Sequence, residues 1–321
     1  MHQTSARRRA AARSLIIIVT ALAGVVAAEG RASACACGCN IFDVGGVCLL
    51  PNDQGGRVYL EYDFQDQHQN WYHGAASSGL NNPDKNIETS FITAGFQYMF
   101  NSDWGIQLEI PYDYRRFVTT GGATGTEIVP NYWGAFGDVR VKGIFDGFFD
   151  DHWLGVTFGF KLPTGDYTYN DAYNDVDRDS EIGTGSIDVL AGYFVHKSVT
   201  DWCSVLFTGQ LDAPVMGRNG YYPGLEFDAG AGVYFNWSMV ENVTVMPILQ
   251  ALESFRMSDS GQASANPVQS GFERIFAAPG VEVDVYSFSF YVEADVPLYI
   301  HTTGNQLTAP VLIKAMVGFK F

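Results

Sequence analysis

Beyond residue 34 the sequence contains no run of eighteen consecutive apolar residues, which excludes a later helical span and leaves strands as the means of crossing a bilayer. Positive charge is scarce: 19 Lys and Arg stand against 35 Asp and Glu, a formal net charge of −16. That balance excludes a nucleic-acid partner, because phosphate binding needs clustered Lys and Arg. Cysteine is limited to five positions, and no C-x-x-C-H haem-attachment motif occurs among them. No cofactor is expected. Sustained helical periodicity is missing as well. What is present is glycine (35 residues), aromatics at 14% and a mean hydropathy of −0.01, a composition that points to β-structure, of which a barrel is one form.

The N-terminus reads as a targeting segment. Arg7, Arg8, Arg9 and Arg13 form a basic region, and "LIIIVTALAGVVAA" (15–28) is an apolar stretch too short for a spanning helix. Small-residue cleavage sites end at Ala28 and Ala34. The expected organisation is a signal peptide over 1–34, cleaved after 28 or 34, a Cys-rich periplasmic segment over 35–56 that is a candidate plug, and a barrel over 57–321.

From residue 57 onward the apolar period is two. "RVYLEYDFQ" sets Val58, Leu60, Tyr62 and Phe64 against Glu61, Asp63 and Gln65. "WGIQLEIPYDYR" sets Ile106, Leu108, Ile110, Tyr112 and Tyr114 against Gln107, Glu109, Asp113 and Arg115. About twelve such segments follow one another, each predicting a strand with one apolar and one polar face. The segment 242–254 is the least regular, because Met246, Ile248 and Leu252 interrupt its polar face.

Long and short connections alternate between these segments. Long ones fall near 67–86, 117–135, 164–184, 214–223, 255–270 and 300–306, with tight turns between them at "FNSD", "DGFFDDH", "HKSVTD", "NWSMVEN" and "VYSF". Outer-membrane barrels of Gram-negative bacteria have this arrangement, with short periplasmic turns, long external loops and an even strand number. The predicted fold is therefore all-β, a closed antiparallel up-and-down transmembrane barrel of about twelve strands, porin-like in form. The chain ends on "KAMVGFKF", with Phe321, Phe319, Val317 and Ala315 on one face and Lys320 and Lys314 on the other. This is the expected closing strand, and a terminal Phe in such a pattern resembles the signal read by the barrel-assembly machinery. The expected partners are that machinery, outer-membrane lipid and an unidentified small solute.

Three motifs occur in order: "GAFGDVRVKG" (134–143), "KLPTGDY" (161–167) and "IGTGSIDVLAGY" (182–193). They resemble the G-x-G-D, L-P-T-G-D and G-T-G-S elements of the transporter family named for the MetA pathway of phenol degradation. The resemblance implies an outer-membrane barrel engaged in uptake of small organic compounds, with no catalytic residues.

If the apolar faces look outward, the lumen is lined by the complementary residues. These are Glu61, Asp63, Glu109, Asp113, Asp138, Asp188, Asp212, Glu226, Asp228, Glu282, Asp284, Glu293 and Asp295, with Arg115, Arg140, Lys142, Lys161, Lys314 and Lys320 as the basic minority. Such a lining either pairs across strands and fills the barrel, or forms a polar pore that favours cations and neutral solutes. The expected function is an outer-membrane channel or transporter, the alternative a non-conducting docking barrel.

Cys35, Cys37, Cys39 and Cys48 crowd the segment before the first strand. In an oxidising compartment a disulfide is the first expectation, from Cys48 to one of the other three, and a soft-metal site is the alternative. "NDVDRDSE", with Asp175, Asp177 and Asp179, lacks the glycine and terminal glutamate of a calcium loop and reads as a solvated acidic loop. His196 and Ser198 raise a remote lipase alternative, without an evident orienting acid. The chain is otherwise expected not to be an enzyme.

Overall fold

The computed structural model describes residues 33–34, 40–43, 50, 54–79, 82–173, 176–261 and 268–321. Twelve antiparallel strands follow one another around the sheet: β1 Gly55–Gln67, β2 Asn86–Met99, β3 Trp104–Gly121, β4 Val139–Phe145, β5 Leu154–Leu162, β6 Ile187–Thr200, β7 Cys203–Met216, β8 Glu226–Phe235, β9 Val243–Arg256, β10 Phe272–Val285, β11 Phe288–Thr308 and β12 Leu312–Lys320. Each pairs with its sequence neighbours, and β12 returns to β1, with Leu312 opposite Gln65 and Lys320 opposite Arg57. The sheet closes on itself, so the strands of the wall leave no edge with unpaired backbone groups in hydrocarbon.

Alternation sorts the side chains. On β1, Val58 and Leu60 are 43% and 51% exposed, while Tyr59 between them and Glu61 and Asp63 beyond them are 7%, 7% and 2% exposed. On β12 the outward residues are Val317 and Phe319, and the inward ones are Leu312, Lys314 and Met316. An apolar belt of this kind around a barrel requires lipid. At the end bearing the tight turns the belt finishes in exposed aromatics, among them Trp104, Trp202, Trp237 and Tyr286. Trp104 packs on Phe145 with ring centroids 4.5 Å apart, and Trp202 stacks on Phe235 at 5.8 Å. Amphipathic rings there mark one membrane interface.

Phe321 completes the closure. Its backbone N–H donates to the Gly56 carbonyl and the Gly56 N–H donates to the Phe321 carbonyl, both at 2.9 Å. Its ring lies where a Cβ on Gly56 would sit. Deleting Phe321 should reduce assembled, heat-modifiable barrel several-fold, whereas deleting Thr124, exposed in an outer turn, should leave the yield unchanged; band shifts on unheated gels measure both.

Several boundaries differ from the periodicity reading. β2, β3 and β11 run further outward than predicted, and the region expected as a loop near 117–135 holds a strand, Glu127–Phe136, paired to the outer part of β3. Gln69–His73 likewise pairs with the end of β11. The strand Glu127–Phe136 alternates as the wall strands do, with Asn131 and Trp133 buried and Tyr132 and Phe136 exposed, and propensity alone is a weak guide to where such outer strands begin. The irregular polar face of β9 has a structural reason: Met246 and Ile248 point inward into a cluster with Tyr59, Leu206, Tyr234, Tyr291 and Met316, against which Leu50 packs. The lumen therefore contains an apolar layer toward the tight-turn end, where the strand pattern implied a polar lining.

Candidate functional site

The three motifs converge on one carboxylate. Asp138, just before β4, accepts hydrogen bonds from the Gly165 N–H at 2.9 Å, the Thr184 N–H at 2.7 Å and the Thr184 hydroxyl at 2.5 Å. Gly165 and Gly183 touch backbone to backbone; a Cβ on Gly183 would lie 2.5 Å from the Gly165 carbonyl carbon. Only glycine fits so close an approach. The two ends of the loop 163–186 are thus clamped together at the barrel wall. Asp138, expected to line a pore, acts here as the anchor of this loop.

The loop folds into the mouth. Val176, Ser180 and Ile182 are buried, with Val176 and Ile182 packing beside Ile87, Phe117 and Trp133. Arg115 on β3 donates to the carbonyls of Ser180 at 2.5 Å and Glu181 at 3.1 Å, and its Nε donates to Thr89. Arg178 lies over the rings of Tyr167 and Tyr221, at 4.8 and 4.5 Å. The stretch read as a solvated acidic loop is therefore largely internal, because Arg115, Arg178 and the two glycines give its polar backbone partners inside the barrel. Asp175 lies outside the described residues.

Burial shifts the acids of this loop. Glu181 is pushed up to about 8 by desolvation, with the Asp166 charge adding to it. Asp84, on the neighbouring loop, is raised to about 7 by burial and then by Asp177. Asp179 rises well above the usual carboxylate range through burial and the nearby charges of Asp177, Asp259 and Asp84. Glu181 on a released loop would titrate near pH 4, and on the packed loop at about 8. The preference for the packed loop is complete below about pH 4 and is lost as pH rises through 7 to 8. Release of the loop, read by the fluorescence of Trp133, which stacks on Tyr169 of the loop, should therefore increase between pH 5 and pH 8, and Glu181→Gln should flatten that rise.

The second occupant of the lumen comes from the segment before β1. Asn40–Asp43 forms a 3-10 turn in which Ile41 and Phe42 are 1% and 5% exposed. They pack against Leu252, Phe276, Ala278, Ala309 and Leu312, in the half of the barrel nearer the long loops. The Phe42 carbonyl accepts from Lys314 Nζ, which also pairs with Glu61 at 3.2 Å. Leu50 lies near the opposite end, where its carbonyl accepts from Arg57 at 3.2 Å. The segment expected at the periplasmic mouth thus places these residues deep in the lumen, where apolar inward positions on β9, β10 and β12 receive them. Cys35, Cys37, Cys39 and Cys48 lie outside the described residues. Cys203 carries a free thiol.

The remaining lumen candidates fall inward. Glu61, Asp63, Glu109, Asp113, Arg115, Lys142, Asp188, Asp212, Glu226, Asp228, Glu282, Glu293, Asp295 and Lys314 are all buried, while Arg140 and Asp284 are partly buried. Many join cross-strand pairs: Lys161 with Asp188 at 2.5 Å and Asp212 at 3.0 Å, Lys142 with Glu109 at 3.1 Å, Lys320 with Asp284 at 3.0 Å. Tyr291 donates to Glu293 at 2.6 Å. The residues that periodicity alone did not single out are Phe42, Arg178, Tyr221 and Asp259, which come from loops or from the segment before β1, and Arg256, which ends β9. Arg256 Nη2 sits 2.7 Å from Asp259, and the Tyr221 hydroxyl donates to that carboxylate at 2.8 Å. His196 meets the Tyr234 hydroxyl, and Ser198 pairs with Ser204, so these contacts do not assemble a Ser-His pair.

Between the loop and the N-terminal wedge lies a cavity of about 130 Å³, bordered by Phe42, Asp113, Asp138, Lys161, Glu226 and their neighbours. An outer membrane channel from Pseudomonas putida F1 superposes on the chain with a TM-score of 0.60 at 10% identity, covering 87% of this chain and 99% of that one. The β domain of the Bordetella autotransporter BrkA does so with a TM-score of 0.53 at 10% identity, over 84% of this chain and 100% of that one. The fold is that of an outer-membrane β-barrel. No protein-family model matches the chain and no curated protein matches it. At 10% identity the likeness to the two outer-membrane barrels concerns the fold alone.

Proposed function

We infer that this outer-membrane β-barrel is a channel for small cations and neutral polar solutes, held shut at rest by its own N-terminal segment and by the loop 163–186. The observation that carries this is the lining of the internal cavity, where nine acidic side chains stand against five basic ones. A charged ring within a low-dielectric wall concentrates its counter-ions. The wall around that cavity is a closed barrel, and what obstructs it is loop and segment rather than strand. The charged lining and the wedge of Phe42 favour small polar solutes over long acyl chains.

Reversal potentials under a salt gradient test the reading. The open state should be weakly cation-selective, and the selectivity should fade at high salt as screening shortens the field. Replacing Asp212, Asp228, Glu282 and Glu293 together by their amides should move the reversal potential toward anion permeability. An anion-selective wild type, or a quadruple variant with an unchanged potential, would overturn it.

A further inference from the structure

We propose that the cavity enclosed by Phe42, Asp113 and the loop 163–186 is a binding site for a small aliphatic diamine. The proposal rests on the channel reading for its biological use, since it names a solute class for that lumen, but the site itself is argued from four features of the cavity.

The first is the state of the bases. Lys161 is held between Asp188 and Asp212, and Arg256 lies beside Asp259 at 2.7 Å and Glu226 at 4.0 Å. Arg115 and Arg178 donate to carbonyls of the infolded loop. These four bases are committed to the protein, which leaves little to attract an anion. The second is Asp113. It is 5% exposed, it borders the cavity, and among the described residues nothing donates a hydrogen bond to its Oδ1. A buried carboxylate oxygen without a donor is costly, and a bound ammonium would supply one.

The third feature is distribution. Glu61 and Asp63 stand on β1 and Asp113 on β3, whereas Asp212 and Glu226, which a bound cation would share with Lys161 and Arg256, stand on β7 and β8, strands that lie across the twelve-strand ring from them. Among the described residues no three His, Cys, Asp or Glu side chains gather closely enough to hold a metal ion. Acids spread over opposite walls suit a ligand with two separated positive ends better than one compact ion. The fourth is size and middle. A cavity of ~150 Å³ holds a benzene-sized molecule, and the one here is about 130 Å³. The Phe42 and Phe91 rings, 6.0 Å apart, border it and offer apolar contact to a short methylene chain.

Calorimetric titration of the full-length protein in detergent with 1,4-diaminobutane tests the site without any transport step. Butylamine and succinate serve as single-ended and oppositely charged comparisons. The expected result is saturable diamine binding, weakened about tenfold or more by Asp113→Asn, the loss of one charge-assisted contact, with butylamine weaker and succinate undetectable. Heat-modifiable migration verifies that Asp113→Asn is folded, and Glu226→Gln provides a second variant on the opposite wall, expected to weaken binding too. Absence of saturable binding, equal affinity for butylamine, indifference to both substitutions, or preference for succinate would overturn the proposal. Binding by a barrel that never conducts would refute the channel reading and leave the site standing. Conduction without binding would do the reverse.

Discussion

A barrel lacking residues 35–50 should conduct in planar bilayers at many times the level of the intact chain. The deletion removes Ile41 and Phe42, the two side chains that pack in the lumen against Leu252, Phe276 and Leu312. Burial of each stabilises the seated segment by roughly 1.5–3 kcal/mol, and the contact from Lys314 to the Phe42 carbonyl adds to it. The twelve strands do not depend on this segment for their pairing, because β1 begins at Gly55 and closes against β12. The deleted protein should therefore still migrate as a heat-modifiable barrel. Lys314 remains paired with Glu61 once the segment is gone, which limits the cost of the exposed lumen. Phe42→Ser is the smaller test: it should weaken the seal and raise open probability without altering single-channel conductance. A silent deletion variant with a normal heat shift would show that the loop 163–186 closes the lumen alone.

Asp138→Ala should release that loop. The carboxylate takes three donors, from Gly165 and Thr184, that bind the loop's two ends to the wall. Hydrogen bonds to a charged acceptor contribute about 1.5–3 kcal/mol each and are not additive. A loss of ~3 kcal/mol overall lowers the closed-to-open ratio of the loop about a hundredfold. Limited trypsinolysis reads this directly, because Arg178 is tucked over Tyr167 and Tyr221 in the closed loop. Wild-type barrel should resist cleavage at Arg178 and the variant should be cut there. Asp138→Asn, which keeps one acceptor oxygen, should fall between them. Gly183→Val should mimic Asp138→Ala by a different route, since its side chain would collide with the Gly165 backbone.

The two closures differ in their chemistry, and so in what should open them. The wedge is apolar and should be insensitive to pH. The loop carries Asp179 and Glu181, whose protonation favours the packed state, so alkali should loosen the loop first. Recording the Asp138→Ala and segment-deleted barrels across pH separates the contributions, because only the barrel that keeps a clamped loop should retain the pH response.

Much of this protein was determined by its sequence alone. Strand number, order and inward face follow from a period of two, because a side chain on a transmembrane strand meets either lipid or lumen and cannot compromise. Glu61 and Asp63 beside Leu60 and Tyr62 already state which face is which. The outward face of β12 follows likewise from the alternation of Val317 and Phe319 with Lys314 and Met316. The fillings of the barrel were decided only by the tertiary structure. Phe42 and the acids at 177–181 belong to non-repeating segments, where no periodicity reports which side chain is covered. Asp138 looked like one lumen acid among many, and it became an anchor because Gly165 and Thr184, distant in sequence, meet there. Met246, Ile248 and Leu252 looked like faults in a polar face, and they are the seats for Leu50, Phe42 and their neighbours. Strand pattern reports the environment of the wall, which the bilayer imposes residue by residue. What occupies the lumen depends on contacts between segments far apart in the chain, and those exist only once the barrel has closed.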